Sequence, residues 1–279
     1  MKQIALAIKK LRVFLLIDLQ RDAQNLIDFG AKYLWIFFIC FIYGLFFKAA
    51  LWQKNISLEG RSISFPLFLM SGLAMARIIP FAIKIFEETL SQLKSSGLIE
   101  WVLVTPSSLW ELFASKVLWN CFCALTEAFA LIVFSRLWVG TAVRPFLQIA
   151  LVQPIFFMFV ATAGIGMIIS GLSLFLKKGN LLFTAFFQIS AAFGGVFFST
   201  ALFTGKLKIF SYVSNSLPIT HALRAVRLAL IHSEASNSAN DRLILAIIAL
   251  IYLLTGFFVL QAGLIWAKKN GHFSQKLYN

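Results

Sequence analysis

Charge is what this chain has least of. Only 13% of its 279 residues are Asp, Glu, Lys or Arg, where a soluble domain carries about 25%. With 60% hydrophobic residues, its bulk solvent is read as lipid. Cysteine is nearly absent: Cys40, Cys121 and Cys123 all fall inside apolar runs, which excludes a disulfide framework and gives no metal-site spacing. Histidine is as scarce, and His221, His232 and His272 read as surface residues outside the membrane core. There is no GxxxxGK[ST] phosphate loop, no HExxH and no aspartate-rich metal pair, so no catalytic or metal site is expected in the chain. A cleavable signal peptide is not expected either, because the first long apolar run starts too far in and is too long.

What is present is a series of apolar runs of the length a spanning helix needs, about 20 residues. They fall at roughly Tyr33–Trp52, Ile63–Ile85, Val117–Val139, Phe146–Leu176, Leu181–Phe203 and Leu243–Trp266. Pro66, Gly72 and Pro80 predict kinks in the second, and Pro154 a bend in the long fourth. Gly164, Gly166, Ser170 and Gly171, then Ser190, Gly194 and Gly195, offer small surfaces for close helix contact. Gln53–Ser62 and Gly140–Pro145 read as short outer connections.

The formal charge of +14 does not form one patch, which argues against nucleic acid. Basic residues instead sit at the ends of apolar runs, where they choose the cytoplasmic side. Lys2, Lys9, Lys10, Arg12, Arg21 and Lys32 precede the first run, and Lys268, Lys269 and Lys276 follow the last. This predicts an all-α polytopic membrane protein of six transmembrane helices with both termini in the cytoplasm. Lys206, Lys208, Arg224, Arg227 and Arg242, on the predicted outside, weaken the bias. Within residues 1–32, Ile4, Ile8, Leu11 and Leu15 at helical spacing predict an amphipathic helix, either in the interface or packed on other cytoplasmic elements. Residues 204–242 form an outer segment in which Pro218–Ile231 reads as helical and amphipathic.

Two features interrupt the apolar pattern. Glu127 is the one acidic residue inside a span, costly there unless paired or wetted. It reads either as lying at a water-filled path or salt-bridged to a basic residue such as Arg77, or as a structural hydrogen bond to a neighbouring helix while protonated. The second feature is the polar island Phe86–Lys116. Glu87 and Glu88 are read as opening a helical run, Ser95-Ser96-Gly97 as breaking it, and Pro106-Ser107-Ser108 as starting the next helix near Leu109. Leu98, Ile99, Trp101, Val102 and Leu103 need burial, so a soluble partner is expected to dock here.

The island resembles the signature of type-2 ATP-binding-cassette (ABC) exporter permeases. In that family a Gly and a Glu precede a hydrophobic stretch, followed by Thr-Pro, a short gap and a Glu leading into the third span. Here these are Gly97, Glu100, Thr105, Pro106 and Glu111. A second resemblance is an Asn-x-x-Pro-x-Thr pattern with a later Arg before the last span, matched by Asn215, Pro218, Thr220 and Arg227 with Arg224 nearby.

The resemblance implies a single permease domain, residues 1–279, in a bacterial inner membrane. Residues 86–116 would form the coupling loop, with Glu87, Glu88, Gly97, Glu100, Thr105, Pro106 and Glu111 facing the ATPase. Residues 204–242 would form short re-entrant helices. It further implies a second permease copy and two separate cytoplasmic ATPase subunits holding ATP and Mg, with no cofactor in this chain. Drugs, lipid-linked glycans, polysaccharides or lipo-oligosaccharides are the substrates it suggests. The alternative from another class is a membrane-embedded lipid-modifying transferase, which needs acidic or histidine clusters at a membrane face; the sequence offers only isolated ones.

Overall fold

The computed structural model describes residues 13, 16–20, 24, 30–31, 34–35, 37–38, 41–42, 55–58, 61–95, 109–139, 149–176, 179–198, 200, 208–231 and 239–270. Two short strands, β1 (Asn55–Leu58) and β2 (Arg61–Ser64), pair antiparallel with Ile56 opposite Ile63. They lie in the stretch read as an outer loop and its junction with the second span. Everything else described in a regular element is helical: α1 (Phe65–Ser95), α2 (Leu109–Val139), α3 (Ile149–Leu176), α4 (Gly179–Phe193), α5 (Lys208–Ser216), α6 (Pro218–Ile231) and α7 (Ala239–Lys269).

Three of these helices are long and apolar enough to cross a membrane among the described residues: Phe68–Leu93, Leu151–Leu176 and Asn240–Lys269. The predicted first span and the N-terminal helix lie largely outside the described residues. Within them Leu34, Trp35, Phe37, Phe38, Phe41 and Ile42 are helical and exposed, as lipid-facing side chains would be.

Two boundaries differ from the sequence expectation. Glu87 and Glu88 do not open a helix; they sit well inside α1, which runs on to Ser95. The polar residues there mark where a helix leaves apolar surroundings, and its hydrogen-bonded backbone continues regardless. At 31 residues α1 is about 46 Å long, well beyond a hydrocarbon core of about 30 Å. Pro66 falls in its first turn, where a missing N–H costs nothing, and Pro80 is carried inside it. The second correction concerns the fifth span, which ends as a helix at Phe193 rather than Phe203. Gly194 and Gly195 stop it: Gly195 adopts φ 79°, open to glycine and strained for other residues. At 15 residues α4 reaches only about 22 Å.

α3 is the central helix, packed against α7, α1, α6 and α4. Its partnership with α7 is built on glycine. A Cβ placed on Gly256 would come within 2.3 Å of the Gly164 carbonyl oxygen, and one on Gly263 within 2.8 Å of that of Gly171. Both pairs are offset by the same interval, so the two helices run parallel, and the seven-residue repeat returns the same face to the seam. Gly166 turns another face of α3 to the α1 backbone at Ile83. α1 and α2 run antiparallel: Arg77 meets Glu127, and Phe86 meets Phe113 at 5.1 Å between ring centroids. The core between them is apolar, with Phe68, Met75, Ile79, Ile83, Phe86, Phe113 and Met158 fully buried.

Candidate functional site: an ion pair between two long helices and a polar cap

Glu127, on α2, meets the basic residue that the sequence suggested for it. Arg77 donates from Nε at 3.2 Å and from Nη2 at 3.1 Å, both to Oε2 of Glu127. Glu127 is 3% exposed, whereas the Arg77 side chain is 39% exposed, so the pair lies at the edge of the helix packing rather than in its centre. Arg77 stands nine residues beyond Phe68, about 14 Å along the helix and near the middle of a 30 Å core. A lone charge at that depth costs about 2.5–3.5 kcal/mol on insertion scales, which pairing offsets. Two turns further along α1, Lys84 lies 3.8 Å from Glu88 and 5.1 Å from the centre of the Phe183 ring.

At the other end of α1 a polar cap is assembled from α5, α6 and the start of α7. Pro218 sits at the first turn of α6, where proline is favoured. The Thr220 hydroxyl donates to the Ser214 carbonyl at 2.6 Å, tying α6 back to α5. His221, read as a surface residue, is instead buried. Its Nε2 lies 2.9 Å from the Asn215 carbonyl, which can only accept and therefore places a proton on Nε2. Its Nδ1 is 3.4 Å from Asp241, which also receives Arg224 at 3.4 Å. Asn215 thus takes part through its backbone, and its side chain is exposed.

Arg227 is the most heavily bonded side chain of the cap. At 5% exposure it donates to the carbonyls of Gly195 (2.9 Å), Phe68 (2.9 Å) and Val196 (3.4 Å) and to the Ser71 hydroxyl (3.2 Å). The Gly195 and Val196 carbonyls are freed where α4 breaks, and the Phe68 carbonyl lies at the start of α1. One guanidinium therefore clamps three chain segments. Burial pushes it down to about 9, which still leaves it charged at neutral pH. Phe68, Ser71, His221 and Asp241 belong to this cap, and sequence reasoning assigned none of them to it. The pairing of a histidine with an aspartate twenty residues on carries no local spacing signal.

Of the residues expected in the coupling segment, Gly97, Glu100, Thr105 and Pro106 lie outside the described residues. Glu87 is half-buried and Glu88 exposed on α1, while Glu111 occupies the first turn of α2, where negative charge suits the helix dipole. The start of α2 is also bound to the N-terminal segment, through an ion pair between Lys116 and Asp18. Among the described residues no group of three His, Cys, Asp or Glu side chains could hold a metal ion.

Long apolar helices, a glycine-packed central pair and a half-buried ion pair at bilayer depth define a multi-pass membrane protein. A family model described as ABC-2 type transporter matches residues 15–231. That is more than half of the chain, and the chain belongs to this family. The family's membrane domain is the permease component of an ABC transporter and is not itself catalytic. No curated protein matches the sequence.

Proposed function

We propose that the chain is the permease subunit of an ABC exporter that moves an amphipathic, drug-like, lipid-linked or glycan substrate outward. Two copies of the permease, identical or paired with a relative, form the path, and separate cytoplasmic ATPase subunits bind ATP with Mg and supply the energy. In this reading the chain crosses a bacterial inner membrane six times with both termini in the cytoplasm. Residues 1–32 carry the interface helix, and α5 and α6 are the short outer re-entrant helices.

The observation that carries the proposal is the continuity of α1 and α2 into the polar island. α1 continues to Ser95 and α2 starts at Leu109, so only residues 96–108 lie between two helices each about 46 Å long. The Phe86–Phe113 contact couples them at that end, with Trp110 6.0 Å from Phe113 and 4.7 Å from Phe257 of α7. A push delivered to residues 96–108 by a partner passes into a packed helix pair and on to α7. Glu87, Glu88 and Glu111 flank that segment, with Gly97, Glu100, Thr105 and Pro106 inside it, and they are the proposed contacts with the ATPase.

The experiment is co-purification of the full chain with a candidate ABC ATPase, followed by ATPase and export assays. Wild type should retain the ATPase. Replacing Glu87 and Glu88 by Ala should lower substrate-stimulated hydrolysis and export while leaving membrane levels unchanged. A wild-type chain that retains no ATPase sinks the exporter reading.

A further inference from the structure

The exposed surface of α1 is a single stripe. From Phe68 to Leu90 every residue is buried except Leu73, Arg77, Pro80, Phe81, Lys84, Glu87 and Glu88, which recur at intervals of three and four and so share one face. This face carries two cations seven residues apart, about 10 Å along the axis, with apolar side chains between and beside them. The two are not equivalent. Lys84 is offset by Glu88 and covered by Phe183. Arg77 uses Nε and Nη2 on one oxygen of Glu127, and Nη1 has no bond among the described residues. Its guanidinium is therefore held by a buried anion on one edge and is open on the other, at a depth where exposure to hydrocarbon is costly.

We propose that Arg77 binds the anionic group of an amphiphile, a phosphate or carboxylate, whose apolar portion lies along Leu73, Pro80 and Phe81. This rests on the exporter reading above and names its substrate class. The guanidinium fork suits a two-oxygen anion, and charge-assisted bonds in a dry site are roughly twice as strong as neutral ones. Glu127 is then a resident counter-ion. It keeps the empty site neutral, competes with the bound anion for the same guanidinium, and takes the guanidinium back on release. The apolar stripe supplies the affinity for a chain-bearing ligand that a free anion lacks.

The test uses the purified full-length chain in dodecyl maltoside with a fluorescent phosphatidic acid as probe. The diacylglycerol bearing the same chains and fluorophore is the uncharged comparison, and inorganic phosphate is the soluble anion. Wild type should bind the phosphatidic acid in preference to the diacylglycerol. Glu127→Gln, which removes the competitor, should tighten that binding by about tenfold, the scale of one charge-assisted bond. Arg77→Gln combined with Glu127→Gln keeps the site neutral and hydrogen-bonding, so it should fold while losing the discrimination. Equal binding of the two lipids by wild type overturns the proposal, as does weaker binding by Glu127→Gln. Inorganic phosphate binding as tightly as the lipid overturns the amphiphile as occupant. No ATPase is present in this assay, so its failure leaves the exporter reading standing, and failure to retain an ATPase leaves this binding result untouched.

Discussion

Arg227 lies flat against Phe68, with Cζ 3.5 Å from the ring centroid, and the same guanidinium donates to the Phe68 carbonyl at 2.9 Å. The residue thus meets the first turns of α1 through both a cation–π contact and a hydrogen bond, while its other nitrogens reach the loop that ends α4. Two peptide segments far apart in sequence depend on one charge.

The clamp makes a definite prediction. Arg227→Gln removes the charged donors of the Gly195 and Val196 carbonyls, each worth about 1–3 kcal/mol. Thermal unfolding of the purified chain in detergent should show a loss of roughly 3 kcal/mol or more. Arg227→Lys should recover only part of it, because an ammonium cannot reach carbonyls on both sides of a planar fork. A melting curve for Arg227→Gln coincident with wild type would remove the clamp from the account of the fold.

The Arg77–Glu127 pair predicts an asymmetry between its two halves. Removing Arg77 takes the cation from a carboxylate that is only 3% exposed, a loss of about 3–5 kcal/mol. Removing the charge of Glu127 leaves a 39% exposed guanidinium that the amide oxygen of Glu127→Gln can still accept from, at no more than the about 2.5–3.5 kcal/mol of a lone charge at this depth. Arg77→Ala should therefore accumulate poorly, Glu127→Gln should reach the membrane at near-normal levels with reduced export, and the double Gln variant should be more stable than Arg77→Ala. Equal losses from the two single variants, or unchanged export by Glu127→Gln, would rule this arrangement out.

How far the sequence could be read depended on whether the controlling interaction was local. Glu127 was legible because an acid in an apolar run must find a cation, and Arg77 was within reach at comparable depth. The glycines of α3 were legible because close helix packing in lipid requires small residues, although their partners Gly256 and Gly263 were not picked out. The end of α4 was not legible. Composition stays apolar through Phe203, and what halts the helix is a glycine pair, after which the Gly195 and Val196 carbonyls are taken up by Arg227 on another element. His221 hides for the same reason: it lies outside the long apolar runs, and the groups that bury it, Asn215 and Asp241, come from α5 and α7. Glu87 and Glu88 misled in the opposite direction, since polarity there signals a change of solvent and not a change of backbone.

The ion pair of Lys116 with Asp18 predicts that the N-terminal segment is fastened to the start of α2. Cysteines at both positions, in a background lacking Cys40, Cys121 and Cys123, should cross-link in native membranes under mild oxidation. A cysteine at Gln20, exposed where Asp18 is buried, should pair with position 116 far less readily. Equal yields from the two pairs would show that the segment is not held in this register.

The last prediction concerns the α3–α7 seam, where the sequence leaves no room for a side chain. On Gly256 an added Cβ meets the Gly164 carbonyl oxygen at 2.3 Å and Met167 Cβ at 3.0 Å. Neither the backbone oxygen nor the Cβ of a packed residue can swing aside as the far end of a flexible side chain would. Gly256→Leu must therefore separate two parallel helices along the repeat that also carries Gly171 and Gly263, exposing the face through which α3 holds the rest of the bundle together. Overpacking of this kind costs about 1–3 kcal/mol at a single site. It should reach the upper end here, because the helices can separate only by giving up the second glycine contact as well. Gly30, with nothing within 4 Å of its hypothetical Cβ, is the matched control. Gly30→Ala should hold or raise stability by up to about 1 kcal/mol through helix propensity alone. Size-exclusion profiles of the two variants, expressed side by side, decide the matter: a monodisperse Gly256→Leu protein with wild-type melting would mean that the seam is not the contact that sets the distance between these helices.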